Sequence, residues 1–154
     1  MRTNNKTALV TGGGSGLGEA SSLRLAEEGA HVFVTDISGD SAERVVQTIR
    51  KSGGSATALP HDVTQESDWQ RVHDTIAGAC VSLDILVNNA GVMNTPEGKT
   101  FDGFETQFGV NHLGHFLLSE LLLDTLKQSA PSRIVCVASA AHAGMSGKPG
   151  ELEL

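Results

Sequence analysis

Short apolar runs recur along the chain, and amphipathic segments separate them. The runs are apolar on consecutive positions rather than alternating, which is typical of strands buried on both faces of a parallel sheet. Four runs are rich in β-branched residues and span residues 8–10, 32–34, 85–87 and 134–137. A fifth, weaker run spans residues 56–59. The pattern therefore predicts an α/β protein with about five buried strands.

The intervening segments carry apolar residues at helical spacing. Residues 17–28 follow the first run, one segment follows a cap at Asp40 or Ser41, another follows a cap at Thr64, and the longest spans 100–127 with a break near Gly109. Alternation of strand and helix predicts right-handed crossovers and a doubly wound sheet. No repeat or linker divides the 154 residues, so we expect one domain.

Charge and composition narrow the class of protein. Eleven basic residues against 18 acidic ones give a net charge of -7, which opposes binding to a nucleic-acid backbone. The first residues have no apolar core of a signal peptide, and the leucine-rich stretch at 113–126 is interrupted by His115, Glu120 and Asp124. We expect a cytoplasmic protein that does not enter a membrane. Cys80 and Cys136 form no Cys-x-x-Cys pair, and Cys136 is predicted to be a small buried residue.

A glycine-rich loop, residues 11–18, joins the first strand to the first helix. A pyrophosphate there would meet free backbone N–H groups and the positive end of the helix dipole. The loop lacks the lysine of a Walker motif, so phosphoryl transfer is not predicted. The candidate contacts to the phosphates are Gly12, Ser15, Gly16, Leu17 and Gly18.

Asp36 ends the second strand, 18 residues after Gly18. A carboxylate there can accept hydrogen bonds from both hydroxyls of an adenosine ribose and would repel a 2′-phosphate. Ile37 follows it and Ser15 lies in the loop, so the sequence shows no basic residue placed to receive that phosphate. These observations predict NAD rather than NADP as the cofactor.

The loop reads G-x-x-x-G-x-G, and Asn88-Asn89-Ala90-Gly91 follows the fourth strand. With both motifs the chain resembles the short-chain dehydrogenase/reductase family over essentially its whole length. Residues 111–118 and 129–135 are similar to the retinol dehydrogenase-like branch, whereas the first 90 residues look more like soluble bacterial members. The resemblance implies a Rossmann-type sheet in the order 3-2-1-4-5, with further cofactor contacts from Asp62, Val63, Asn89, Ala90 and Gly91.

The family's chemistry, as the resemblance implies it, is hydride transfer between a nicotinamide and an alcohol or carbonyl carbon. Asn111 falls at the position of the asparagine that anchors a water relay, and Ser139 at that of the serine that steadies the substrate oxygen. The family's Tyr-x-x-x-Lys motif has no counterpart, because the sequence contains no tyrosine. We interpret the chain as truncated, retaining the cofactor half and lacking activity.

Other functions remain open at this stage. A nucleotide-binding or regulatory module would need no tyrosine, and a methyltransferase also has a glycine-rich loop, although Asn88 to Gly91 argue against it. His112 and His115 are three residues apart, but no third ligand is spaced for zinc, so no metal is predicted. The substrate would be a small alcohol or carbonyl compound, with retinoids, steroids and short alcohols all open. The resemblance further implies a homo-oligomer, formed through the helix at 111–127 and impaired by truncation.

Overall fold

The computed structural model describes residues 2–79 and 82–139. Within them, a parallel sheet carries five strands in the order β3-β2-β1-β4-β5. The strands are β1 (Thr7–Thr11), β2 (His31–Asp36), β3 (Ser55–Pro60), β4 (Ile85–Asn88) and β5 (Arg133–Cys136). Each apolar run corresponds to one strand, so the predicted fold class and strand order are confirmed.

Helices cover both faces of this sheet and divide the core into two layers. They are α1 (Gly16–Glu27), α2 (Gly39–Lys51), α3 (Glu66–Ala79), the single turn α4 (Thr106–Phe108) and α5 (His115–Gln128). On one face α1 and α2 pack against the valines of β1 and β2. On the other face Trp69 of α3 and the leucines of α5 pack against Leu9, Phe33 and Leu86. Alternate residues of each central strand thus enter different layers, as a doubly wound sheet requires.

Two predicted helix starts are wrong. Helix α2 begins at Gly39, and its cap is Ser38, whose side chain accepts a hydrogen bond from the Ser41 N–H. Helix α3 begins at Glu66, and the Thr64 hydroxyl donates to Asp62 at 2.8 Å rather than accepting from the first turn of the helix. Serine, threonine and aspartate all favour such local bonds, so their order along the chain does not decide which one caps.

The fifth strand is not buried as predicted. Ile134 and Val135 point to opposite faces of the sheet and are 43 and 47 % exposed, and the Cys136 thiol is exposed. The physical reason is the strand's position: β5 lies at the sheet edge, where the described residues do not cover both of its faces. By contrast, Leu118, Leu122 and Leu126 of α5 are buried in the layer that α5 forms with α3.

Asp84 joins the amino-terminal ends of β1 and β4. Its carboxylate accepts hydrogen bonds from the Lys6 ammonium at 2.6 Å, the Thr7 N–H at 2.9 Å and the Ser82 hydroxyl at 3.0 Å. Burial alone would raise the pKa of Asp84, but these three donors hold it below its usual range. The buried charge is thus fully partnered, and it fixes the register of the two central strands.

We expect Asp84→Asn to lower the free energy of unfolding by about 2 kcal/mol, since it leaves the Lys6 charge unpaired beside a buried amide. Urea denaturation followed by circular dichroism measures the change. Asp124→Asn is the matched control: its nearest cation, Lys127, is 3.9 Å away on the surface of α5, so the loss there should stay below about 0.5 kcal/mol. Equal losses in the two variants would contradict the role of Asp84.

Candidate cofactor site

A cleft of about 580 Å³ opens at the carboxyl ends of the strands, where ligands bind in doubly wound sheets. Eleven of the twelve predicted cofactor residues line it: Gly12, Ser15, Gly16, Leu17, Asp36, Ile37, Asp62, Val63, Asn89, Ala90 and Gly91. The twelfth, Gly18, does not line the cleft and packs against the Gly12 carbonyl. The lining also includes four residues that were not predicted as cofactor contacts, namely His61, Thr64, Val92 and Val110.

Three glycines of the loop, those of the G-x-x-x-G-x-G spacing, are required for different reasons. A β-carbon on Gly12 would come within 2.9 Å of the Ala90 Cα, and one on Gly18 would overlap the Gly12 carbonyl. These two glycines therefore allow close packing between the loop, the helix and the fourth strand. Gly16 has a positive φ of 52°, and its β-carbon would meet nothing within 4 Å. Gly16 thus faces open space on the cleft side, in the backbone conformation that glycine adopts most readily.

Thr11 and Asn89 tie the glycine loop to the end of β4. The Thr11 hydroxyl oxygen accepts hydrogen bonds from the backbone N–H groups of Asn89 and Ala90, both at 3.0 Å. In return the Asn89 amide donates to the carbonyls of Thr11 at 2.9 Å and Gly12 at 3.2 Å. Asn88 turns the other way and donates to Ser119 of α5. The first asparagine of the motif therefore anchors a helix, and the second shapes the cleft.

Asp36 lines the cleft at the end of β2, where backbone donors hold it in place. Its Oδ2 accepts from the Gly14 N–H and its Oδ1 from the Ser38 N–H, each at 3.0 Å. A carboxylate oxygen can accept more than one hydrogen bond, so both oxygens keep capacity for further donors. The carboxylate is thus preorganised, by the loop on one side and the start of α2 on the other.

The sequence shows no basic residue placed to receive a 2′-phosphate, but the structure brings one into contact with the loop. Arg44 on α2 extends to it, and its guanidinium donates to the Gly14 carbonyl at 2.8 Å. The same guanidinium forms two hydrogen bonds of 2.8 Å to the two carboxylate oxygens of Glu19 on α1. These bonds hold the pKa of Glu19 below its usual range, so the pair is charged at neutral pH. Arg44 lies 30 residues from Gly14, which is why local sequence inspection misses it.

Apolar side chains border the cleft without being buried. Leu17 and Ile37 are 71 and 74 % exposed, and Val63 lines the cleft beside Asp62. The Asp62 carboxylate accepts from the Thr64 N–H at 2.9 Å and its hydroxyl at 2.8 Å, which fixes the turn after β3. Exposed apolar groups around a concave polar loop are typical of small-molecule sites.

Asn111 lies in a π-helical segment, Gly109–Gly114, between α4 and α5. Contrary to the prediction, the helix does not break near Gly109 but continues there as a π turn, and it begins at Thr106 rather than at residue 100. The Asn111 amide donates to the Val92 carbonyl at 2.9 Å, and its oxygen accepts from the Val92 N–H at 2.8 Å. Wider turns of this kind are frequent at functional sites. Ser139 lies three residues after β5, at the same end of the sheet.

Two buried histidines underlie the cleft. His61 is 2 % exposed, shares a 3.1 Å hydrogen bond with Thr35 and packs edge-on against Trp69. Burial lowers the pKa of His61 to about 4, so the ring is neutral at pH 7. His115 is also buried, and burial lowers its pKa despite a hydrogen bond with the Ala90 backbone. His61 gave no sequence signal, whereas His115 was noted only as a possible partner of His112 for zinc.

His112 and His115 do not face a common point. His112 stacks on Phe108, whereas His115 points into the core. Among residues 2–79 and 82–139, no group of three or more His, Cys, Asp or Glu side chains is arranged to hold a metal ion. Cys80 lies outside the described residues.

Comparison with known proteins agrees with this geometry. Residues 6–150 match the family model described as short chain dehydrogenase. Human retinol dehydrogenase 11 is 43 % identical over 140 residues, and human polyprenol dehydrogenase is 39 % identical over 144. The chain therefore belongs to the short-chain dehydrogenase family. Because retinol dehydrogenase 11 aligns with 89 % of the chain, the likeness to that branch is not confined to the second half.

Solved structures show the same fold. A 7α-hydroxysteroid dehydrogenase complexed with NADH and 7-oxoglycochenodeoxycholic acid superposes with a TM-score of 0.83 at 31 % identity, over 93 % of this chain and 56 % of that one. A short-chain dehydrogenase/reductase mutant of Serratia marcescens gives 0.81 at 31 % identity, over 92 and 58 %. The chain spans about 44 % of the length of both curated relatives above. None of the helices in the described residues is long and apolar enough to span a bilayer.

The buried His61 predicts an acid-dependent loss of stability. Its pKa is near 4 when folded and about 6.5 when unfolded, so the unfolded chain takes up the proton first. The contribution of His61 to the free energy of unfolding should be fully present above about pH 6.5. It should be lost progressively as the pH approaches 4, and the loss should reach up to about 3 kcal/mol. Urea denaturation at pH 7, 6 and 5 measures the slope.

His61→Gln should lower the free energy of unfolding at pH 7 and reduce its dependence on pH. Part of the remaining pH dependence should come from His115, whose pKa is also lowered by burial. His73→Gln removes a histidine from the outer part of α3 and serves as the control. A pH dependence unchanged in His61→Gln would mean that this histidine is not kept neutral by the fold.

Proposed function

We propose that this chain binds NAD in the cleft and provides the cofactor half of an oxidoreductase. The reaction would transfer a hydride between the nicotinamide and an alcohol or carbonyl substrate. The observation that carries the proposal is the glycine loop at the mouth of the cleft. There Gly16 faces open space, whereas β-carbons on Gly12 and Gly18 would clash. A loop backbone without side chains would let a pyrophosphate approach it closely, and a side chain at Gly16 would occupy that space.

The other lining residues suit the remaining parts of the cofactor. Asp36 would accept the ribose hydroxyls, and Ile37 and Val63 offer apolar surface to the adenine beside Asp62. Leu17 and the segment from Asn89 to Gly91 would border the nicotinamide half. The backbone N–H groups at the start of α1 favour an anion, and the Ser15 side chain makes no capping hydrogen bond that would compete for them.

The chemistry itself would come from the bound nicotinamide, which supplies or accepts a hydride. Asn111 is held rigidly against Val92, so it would keep a fixed orientation toward water or substrate at this end of the sheet. Ser139 would donate a hydrogen bond to the substrate oxygen. Neither side chain is an acid near neutral pH, and no tyrosine occurs in the 154 residues. The absent tyrosine is also the observation that favours a second function, nucleotide binding without turnover.

The substrate class is proposed from the names of the relatives. Retinol, polyprenol and a hydroxysteroid are all alcohols with an apolar body. We therefore propose an apolar alcohol or the corresponding carbonyl compound. The proposed location is the cytoplasm.

The first test is the choice between NAD and NADP. Calorimetric titration should show tighter binding of NAD to the unmodified chain. Asp36→Ala should weaken NAD by roughly 10- to 100-fold, because charge-assisted hydrogen bonds to the ribose are lost, and should narrow the preference. Asp40→Ala, which removes the same charge four residues away on α2, should leave both affinities within about twofold. Equal affinity for the two cofactors in the unmodified chain would contradict the role of Asp36.

The second test is turnover. The 154-residue chain should give no reduced NAD above background with retinol, a hydroxysteroid or short alcohols, followed by absorbance. General acid–base catalysis is typically worth 10²- to 10⁴-fold, and neither Asn111 nor Ser139 can replace a tyrosine in that role. Turnover that Ser139→Ala abolishes would contradict this prediction, because it would show that another group of the chain exchanges the proton with the substrate oxygen. NAD binding measured on the same sample separates an inactive chain from an unfolded one.

A further inference from the structure

Arg44, the cation that contacts the glycine loop, is itself bound on two sides. Arg44 donates to the Gly14 carbonyl and forms a two-pronged ion pair with Glu19, all at 2.8 Å. A planar guanidinium satisfied by a carboxylate in this way has little charge left for another anion. Glu19 is three-quarters buried in its side chain, whereas Arg44 is more than half exposed. Glu19 is therefore the fixed partner and Arg44 the one free to move.

Arg44 and Asp36 contact the same residue of the loop. Gly14 donates its N–H to Asp36 and accepts a hydrogen bond from Arg44 through its carbonyl. A β-carbon on Gly14 would lie within 2.8 Å of both Asp36 and Ser41, so α2 packs directly on this point. The guanidinium and the carboxylate that would hold the adenosine ribose thus lie on either side of one glycine. Because Arg44 is long and more than half exposed, a change of rotamer can move its guanidinium toward that ribose.

A 2′-phosphate on that ribose would carry two negative charges and would attract Arg44. Two carboxylates oppose this outcome in different ways: Asp36 repels the phosphate, and Glu19 already pairs with the arginine. We infer that Glu19 is a specificity-determining residue of the cofactor site, which favours NAD by keeping Arg44 from a 2′-phosphate. The inference rests on the proposed function, because it needs an adenosine ribose at Asp36. It also explains how a site with an arginine at its edge would still prefer NAD.

Three variants test this by calorimetric titration with NAD and NADP. Glu19→Gln keeps a hydrogen-bond acceptor for Arg44 but removes the charge, and should tighten NADP by roughly tenfold while NAD stays within about twofold. Arg44→Met removes the cation at similar side-chain length. In the Arg44→Met background, Glu19→Gln should leave the NADP affinity unchanged, because the gain depends on the freed guanidinium.

Glu27→Gln is the matched control for a lost negative charge on α1. Glu27 pairs with Arg24 at 3.1 Å on the outer surface of the same helix, and its variant should bind both cofactors as the unmodified chain does. An equal gain in NADP affinity from Glu27→Gln would show an effect of net charge and overturn the inference. So would unchanged NADP affinity in Glu19→Gln when the unmodified chain binds NAD, and the proposed function would then stand.

A chain that binds neither cofactor would instead refute the proposed function, and the inference would fall with it. If Glu19→Gln does not fold, as judged by circular dichroism, Glu19→Asp supplies the comparison, because its shorter side chain cannot keep the two-pronged pair with Arg44. Its NADP affinity should be higher than that of Glu19→Asp/Arg44→Met by roughly tenfold. Equal affinities in those two variants would overturn the inference, since Arg44 would then not contribute to phosphate binding.

Discussion

The close approach of β1 and β4 at their carboxyl ends is the constraint on which the cleft depends. Backbone groups that leave a parallel sheet there must find partners, and Thr11 and Asn89 supply them for each other's loops. Such proximity leaves no room for a β-carbon at Gly12 or Gly18. The loop can then turn back over the end of the sheet, so that helix α1 begins at the edge of the cleft.

Electrostatic order around Gly14 adds to this framework. One residue of the loop is contacted through its N–H by a carboxylate at the end of β2 and through its carbonyl by a guanidinium from α2, which in turn pairs with α1. Three elements are therefore linked through the loop, in addition to its uncharged hydrogen bonds with Asn89. The sheet below is stabilised mainly by apolar contacts, whereas charged groups contribute to the conformation of the loop. The two parts of the molecule should accordingly respond differently to salt, which screens exposed ion pairs but not core packing.

Much of this architecture could be predicted from local pattern. The apolar runs marked every strand, since burial on both faces leaves a signal within a few residues. The glycine spacing and Asp36 located the cleft, because such positions are read from single residues at fixed offsets. Properties that depend on distant parts of the chain could not be found in this way. The exposure of β5 depends on what covers the sheet edge, and Arg44 reaches its partners across α1 and α2. The neutral His61 depends on burial under Trp69 and Thr35, which no spacing encodes.

The π-helical turn at Asn111 has a consequence for how this part of the molecule can change. A π turn holds one residue more than an α turn, so it is in effect an insertion within a helix. Substitution of side chains leaves that extra residue in place. Deletion of a single residue between Gly109 and Gly114 would restore regular α geometry and change the directions in which the side chains of this turn project. The amide of Asn111 would then lose Val92, although the chemical identity of each remaining residue were preserved. The orientation of this asparagine is therefore set by the length of the helix as much as by its composition.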